Sequence, residues 1–164
     1  MTIACIALGS NLGDRAAAIR GALELLNATN GIGVRAVSDV VETEPVGPPG
    51  QGPYLNAAAE LQTSIPDPRA LLWTMLDIER QLGRDRSRSQ RWGPRTIDLD
   101  LLTFGESVLN EPELTLPHPR LHERTFVLVP LAQIAPDTVI PGLDSTPTKL
   151  LTDLRDAAPP AAAP

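Results

Sequence analysis

The segment Arg91-Trp92-Gly93-Pro94-Arg95-Thr96-Ile97-Asp98-Leu99-Asp100-Leu101-Leu102 sets two carboxylates two residues apart in an alternating apolar background. On an extended strand, side chains at that spacing share a face, with α-carbons about 7 Å apart. Asp98 and Asp100 therefore face one way, and Ile97, Leu99 and Leu101 face a core. Two carboxylates held together repel unless a cation lies beside them, and magnesium suits such hard oxygen donors while leaving positions for phosphate oxygens. Just upstream, residues 80–95 hold Arg80, Arg84, Arg86, Arg88, Arg91 and Arg95 against Asp85 alone, in a chain whose net charge is −6. Planar guanidinium groups match phosphate oxygens two at a time. Arginines beside a carboxylate–magnesium pair are what phosphoryl transfer needs, because they neutralise charge on the transferring group. No G-x-x-x-x-G-K-[ST] sequence is present, so this is not a P-loop enzyme.

A second group of residues suits a flat heterocycle. In the run Tyr54–Gln62, Leu55, Ala57, Ala59 and Leu61 share one strand face and Tyr54, Asn56 and Glu60 the other. An aromatic plane beside an amide can stack on and hydrogen-bond such a ring. His118 is held between Pro117 and Pro119. Glu79 lies in the last turn of an apolar-striped helix leading into the arginine segment, and Gly9-Ser10-Asn11-Leu12-Gly13 has only the outline of a phosphate loop. A magnesium-dependent phosphohydrolase would use the same aspartates but needs a general base that no motif supplies. An RNA-binding sheet would carry aromatics on a basic surface, whereas this chain is acidic, with a pI of about 4.8.

These residues must be positioned by one domain. The chain has 164 residues, 42% of them apolar, and five aromatics, which places a single domain at 1–156 and a frayed Pro/Ala-rich tail at 157–164. Cys5 is the only cysteine, which excludes a disulfide scaffold and reads as a buried small hydrophobe. No stretch is apolar enough to span a membrane and no secretory leader is visible, so a cytoplasmic protein is expected, with no membrane or nucleic-acid partner. The periodicity predicts a strand over residues 2–8, a helix ending near Asn27, a strand over Val34–Thr43 and a Pro/Gly-rich loop over 44–53. After the strand Tyr54–Gln62, a helix starts at Asp67-Pro68 and stops at Gly83, with Leu71, Met75, Ile78 and Leu82 as its stripe and Trp73 packed. A strand near Thr96–Phe104 follows, then short strands around Ser107–Val108 and Leu114–Leu116. Pro130 would interrupt a long helix in the apolar run Phe126–Ile134. The order strand-helix-strand-strand-helix-strand predicts an α+β ferredoxin-like plait (βαββαβ) with a C-terminal extension.

The motifs ALGSNLGDR (7–15), ETEPVG (42–47), YLNAA (54–58), RWGPRTIDLDLL (91–102) and LPHPRLHERTFVLVPL (116–131) occur in order. Together they resemble the 6-hydroxymethyl-7,8-dihydropterin pyrophosphokinases over residues 3–136. The resemblance implies a ferredoxin-like fold and transfer of diphosphate from ATP to the pterin hydroxymethyl group in folate biosynthesis, with release of AMP. It implies two magnesium ions on Asp98 and Asp100, and catalytic roles for Arg84 and Arg95. On the ATP side it implies Glu79, Arg86, Arg91, Trp92, Leu101, Leu114, Thr115, His118 and Arg124. On the pterin side it implies Thr43, Pro45, Val46, Tyr54, Asn56, Trp92, Asp98 and Phe126. A monomer acting on these two small molecules is expected, with Arg84–Trp92 closing over the triphosphate. Beyond Pro136 the sequence carries no motif of that family.

Overall fold

The computed structural model describes residues 1–84 and 93–158. Strands β1 (Thr2–Ser10), β2 (Ile32–Val37), β3 (Val41–Thr43), β4 (Tyr54–Thr63) and β5 (Asp98–Phe104) form one antiparallel sheet in the order β2-β4-β1-β5, with β3 also on β4. Helices α1 (Arg15–Ala28) and α2 (Pro68–Gln81) connect β1 to β2 and β4 to β5. A hairpin of β6 (Leu109–Asn110) and β7 (Thr115–Leu116), a 3-10 turn at Leu121–Glu123, and helices α3 (Thr125–Ile134) and α4 (Pro147–Asp156) follow. The architecture is a mixed fold of helices and antiparallel sheet.

Central β1 is apolar from Ile3 to Leu8 because most of both its faces is covered. Ala4, Ile6 and Leu8 join Ile19, Ala22 and Leu26 of α1 and Leu71, Met75 and Ile78 of α2 in one core. Cys5 joins Ala58, Leu102, Leu121, Leu128, Leu131 and Leu151 in a second core on the opposite face. A β-bulge in β5 serves both. Cys5 pairs with Thr103 and Ile6 with Leu101, so the extra residue Leu102 turns to the second core while Leu101 stays in the first. Helix starts follow the capping residues: Asp14 accepts from Ala17 N (3.0 Å), Asp67 from Arg69 N (2.9 Å) ahead of Pro68, and Thr146 from Lys149 N (3.2 Å) ahead of Pro147. Gly83, at φ +88°, ends the second helix as expected.

Three local expectations change. Val34–Thr43 is two strands rather than one. At the break the Ser38 hydroxyl accepts from Ala58 N and Ser38 N donates to Ala58 O, both at 2.9 Å, so a side chain replaces one ladder partner and lets the chain bend. Trp73 is not packed: it is 58% exposed, because two helical positions from Leu71 is the opposite side of α2. Pro130 does not interrupt α3, which continues through it for ten residues. The helix tolerates the lost N–H because Val127, Leu128 and Leu131 bury completely around it. Past Pro136 the chain forms α4, where Lys149 pairs with Asp153 (2.7 Å) on the outer side.

Candidate active site

Helices α3 and α4 cover only part of the second sheet face. At the end where Cys5, Ala58 and Leu102 lie, the face is core; at the other end, Ala7, Gly9, Asn56, Asp98 and Asp100 line a cavity of about 270 Å³. The register explains the convergence. Gly9 on the central strand lies opposite Asn56 of β4 on one side and Asp98 of β5 on the other, and Ala7 lies opposite Asp100. Thr43 and Tyr54 come from the β3–β4 pair, His118 from the segment after β7, and Arg124, Phe126 and Val127 from the start of α3.

Asp98 is held from two directions. Arg84 donates to its Oδ1 and Arg95 to its Oδ2. Arg84 is itself buried, and its Nη1 also donates to Glu79 Oε1 (2.7 Å) and to the Ile97 carbonyl (3.1 Å). The same Glu79 oxygen accepts from Leu99 N (2.8 Å), so the end of α2 and the start of β5 are joined through one carboxylate. Burial opposes ionisation of Asp98, but the two guanidiniums outweigh it and hold the carboxyl below its ordinary range. Asp100 goes the other way. Burial and then the charge on Asp98 raise it from 3.8 to about 6, and Arg124, whose Nη1 is 4.0 Å away, offsets this only in part. Burial, reinforced by Arg124, lowers His118 to about 4, so the imidazole is neutral at pH 7. Its Nδ1 accepts from Arg120 N (3.2 Å), which assigns the proton to Nε2.

The other half of the cavity holds the aromatic side chains Tyr54 and Phe126 and the amide of Asn56. Asn56 Nδ2 donates to Thr43 Oγ1 (2.6 Å), and the guanidinium of Arg124 lies 5.6 Å from the centre of the Phe126 ring. Burial raises the Tyr54 phenol above its ordinary value. The β1–α1 turn ties the two halves together. Asn11 exchanges backbone and side-chain hydrogen bonds with Arg95 (3.0 and 2.7 Å), and its Nδ2 donates to Gly52 O and Gln51 Oε1 (both 3.2 Å). Ser10 Oγ donates to Thr96 O (2.5 Å). The turn thus holds neighbouring loops by specific hydrogen bonds, which the glycines in the motif do not reveal.

Of the residues expected on sequence grounds, Thr43, Val46, Tyr54, Asn56, Arg95, Asp98, Asp100, His118, Arg124 and Phe126 line this one cavity. Glu79 and Arg84 stand behind it and reach it through Asp98. Arg84 is therefore engaged already, rather than waiting on a loop as the sequence reading expected. Leu101 and Leu114 bury their side chains in the core under α1 and α2, away from the cavity, and Pro45 and Thr115 do not line it. Arg86, Arg91 and Trp92 lie outside the described residues, as does the closing of that segment. Sequence reasoning took Gly9 and Asn11 only as part of a phosphate-loop outline and gave the cavity-lining Glu44 no role; a glycine at the end of an otherwise apolar strand was the available signal for the first.

The profile of the 7,8-dihydro-6-hydroxymethylpterin-pyrophosphokinase family matches residues 5–136. The 2-amino-4-hydroxy-6-hydroxymethyldihydropteridine pyrophosphokinase of Methylorubrum extorquens is 50% identical over 142 residues, covering 87% of this chain and 88% of its own length. That of Bacillus subtilis is 48% identical over 132 residues, 80% of this chain and 77% of its own. Among solved structures, an HPPK-DHPS in complex with substrates superposes with a TM-score of 0.73 at 13% identity, over 95% of this chain and 44% of its own. Wild-type Plasmodium falciparum HPPK-DHPS gives 0.73 at 14%, over 93% and 43%. This chain spans less than half of those structures' length, and at such identities they speak for the fold alone. The sequence relatives decide the matter: the chain belongs to the 7,8-dihydro-6-hydroxymethylpterin-pyrophosphokinase family, enzymes of folate biosynthesis that transfer diphosphate from ATP to 6-hydroxymethyl-7,8-dihydropterin.

Proposed function

We propose that the open end of the sheet is the place of this transfer, with the pterin on the Tyr54–Asn56–Phe126 side and the triphosphate on the Asp98–Asp100–Arg95 side. The observation that supports this best is the register at Gly9, which puts an amide suited to a heterocycle and a carboxylate suited to a metal on adjacent strands of one cavity. The acceptor hydroxyl attacks the β-phosphorus of ATP, the bond to the α-phosphate breaks, and AMP leaves. Arg95 and Arg84 hold Asp98 ionised; Arg124 and neutral His118 border the triphosphate; Thr43 and Val46 border the ring. Glu79 fixes Arg84 rather than touching substrate. Arg86, Arg91, Trp92 and, beyond the cavity itself, Thr115 belong to the nucleotide side in this reading, whereas Leu101 and Leu114 serve the core beneath it.

The donors fit magnesium. Among the described residues no cluster of three or more His, Cys, Asp or Glu could enclose an ion, and magnesium is usually held by one or two carboxylates with water and phosphate completing its shell. The Asp100 carboxylate faces only the distant Arg124 as an ion-pair partner among those residues. When bound, two ions would draw negative charge from the phosphate oxygens. We read the strand order as the ferredoxin-like plait, residues 1–156 as one domain with 157–164 as a tail, and the protein as a cytoplasmic monomer. Incubating the enzyme with ATP and magnesium, with and without the hydroxymethylpterin, tests the assignment: AMP and the pterin diphosphate, identified by mass, should form only when all three are present. Orthophosphate without pterin would show a hydrolase instead.

A further inference from the structure

Gly9 is a glycine that its backbone does not require. It lies within β1 and is not among the residues with positive φ, so any residue could adopt its conformation. Glycine inside a strand costs stability, through lost chain entropy and lost packing, unless something must approach the backbone closely. Two side chains lie close to it. A Cβ at this position would lie 3.4 Å from Asn56 Oδ1 and 3.7 Å from the edge of the Tyr54 ring. These are ordinary contacts, so the protein itself has room for a methyl group there. The space it would take belongs to the cavity. It lies between Asn56 and Asp98, the cross-strand neighbours on either side. Asn56 Nδ2 is engaged by Thr43, which leaves Oδ1 as the end of the amide turned toward this gap.

We propose that Gly9 is a specificity-determining residue: the missing side chain sets the depth of the slot in which the pterin reaches from Asn56 toward Asp98. This rests on the assignment of that side of the cavity to the pterin. A methyl at residue 9 would stand against the accepting oxygen of Asn56 and under the Tyr54 ring, obstructing the flat substrate while leaving the triphosphate side untouched.

The test is the series Gly9→Ala, Gly9→Ser and Gly9→Val in the full chain, measured three ways: melting temperature, calorimetric binding of a non-hydrolysable ATP analogue with magnesium, and calorimetric binding of 6-hydroxymethylpterin in the presence of that analogue. Gly9→Ala should melt at or above the wild-type temperature, bind the nucleotide within about twofold of wild type, and bind the pterin at least tenfold more weakly. The loss should grow with side-chain volume through the series. Wild-type pterin affinity in Gly9→Ala would overturn the proposal. So would a joint loss of both ligands with a lower melting temperature, which would mean that Gly9 serves the strand. If wild-type protein fails to bind the pterin but binds the nucleotide, the assignment of the cavity falls before Gly9 is tested.

Discussion

Asp98 and Asp100 look equivalent in the sequence and are opposites in the structure. Asp98 carries two arginines, one of them buried, so removing its charge leaves Arg84 with Glu79 alone; Asp98→Asn should destabilise the metal-free protein by about 3 kcal/mol. Asp100 is raised to about 6 by burial and by Asp98, so between pH 3.8 and about 6 the folded state keeps a proton that the unfolded chain has released. Stability is lost as pH rises through that window, and at pH 7 the folded protein holds an unfavourable charge. Asp100→Asn should therefore stabilise the protein and raise its melting temperature, the gain in stability being no more than about 1 kcal/mol because the side chain is 37% exposed and screened. Both variants should lose roughly a thousandfold in turnover. Melting curves at pH 7 without magnesium check the pair, and shifts of the same sign would contradict the unequal roles. Asn56→Ala should weaken pterin binding by about 1–3 kcal/mol and leave nucleotide binding alone, read by calorimetry. The carboxylate pair and the Tyr54–Asn56 pair were legible because strand periodicity alone decides which side chains share a face. Glu79 and Arg84 were named through the family resemblance, but their pairing with each other and with Asp98 was not legible, because it joins the end of α2 to the start of β5 and only the packing of those elements brings them together.

At the scale of elements, the loop over residues 44–53 is closed at its neck. Arg15, the first residue of α1, donates to Pro53 O (2.7 Å) and pairs with Glu42 (2.9 Å), the residues flanking the Thr43–Tyr54 pair that begins and ends the loop. Arg15→Ala should free this neck at a cost of about 1 kcal/mol, since the ion pair is largely solvated. The expected outcome is a KM for the pterin raised about fivefold, with kcat and the KM for ATP little changed; an equal rise in both KM values would show a general loss of order instead. Glycines, prolines and alternation announced this loop, the hairpin strand after it and the helix caps. They could not announce the break at Ser38, because it depends on which residue of β4 lies opposite. Nor does the turn chemistry of a single segment tell that Asn11 and Arg15 reach across to loops some forty residues away.

For the molecule as a whole, two cores share one sheet, and Cys5 sits in the smaller. Burial pushes its thiol from 9.0 up to about 11, so below pH 9 both states keep the proton and stability does not depend on it. Between pH 9 and 11 the unfolded chain ionises first, and stability should fall by about 2–3 kcal/mol as pH rises. Denaturant titrations of wild type and Cys5→Ala at pH 8 and 10.5 isolate this slope in the difference between the two proteins; parallel slopes would contradict a buried neutral thiol. The order of elements up to Pro136 was legible from periodicity, whereas α4, which covers the second core beside α3, was not, because it lies beyond the motifs and its apolar side is short. That helix carries Lys149, the only lysine of the sequence, 66% exposed and paired with Asp153. Helix α4 rests on α3 and on the 3-10 turn, on the covered part of the sheet face. An amine-directed linker would therefore find a single side-chain handle beside the α-amine of Met1, and protein captured on a sensor surface through Lys149 would be held by the covered part of the sheet face, with the cavity clear of the attachment point.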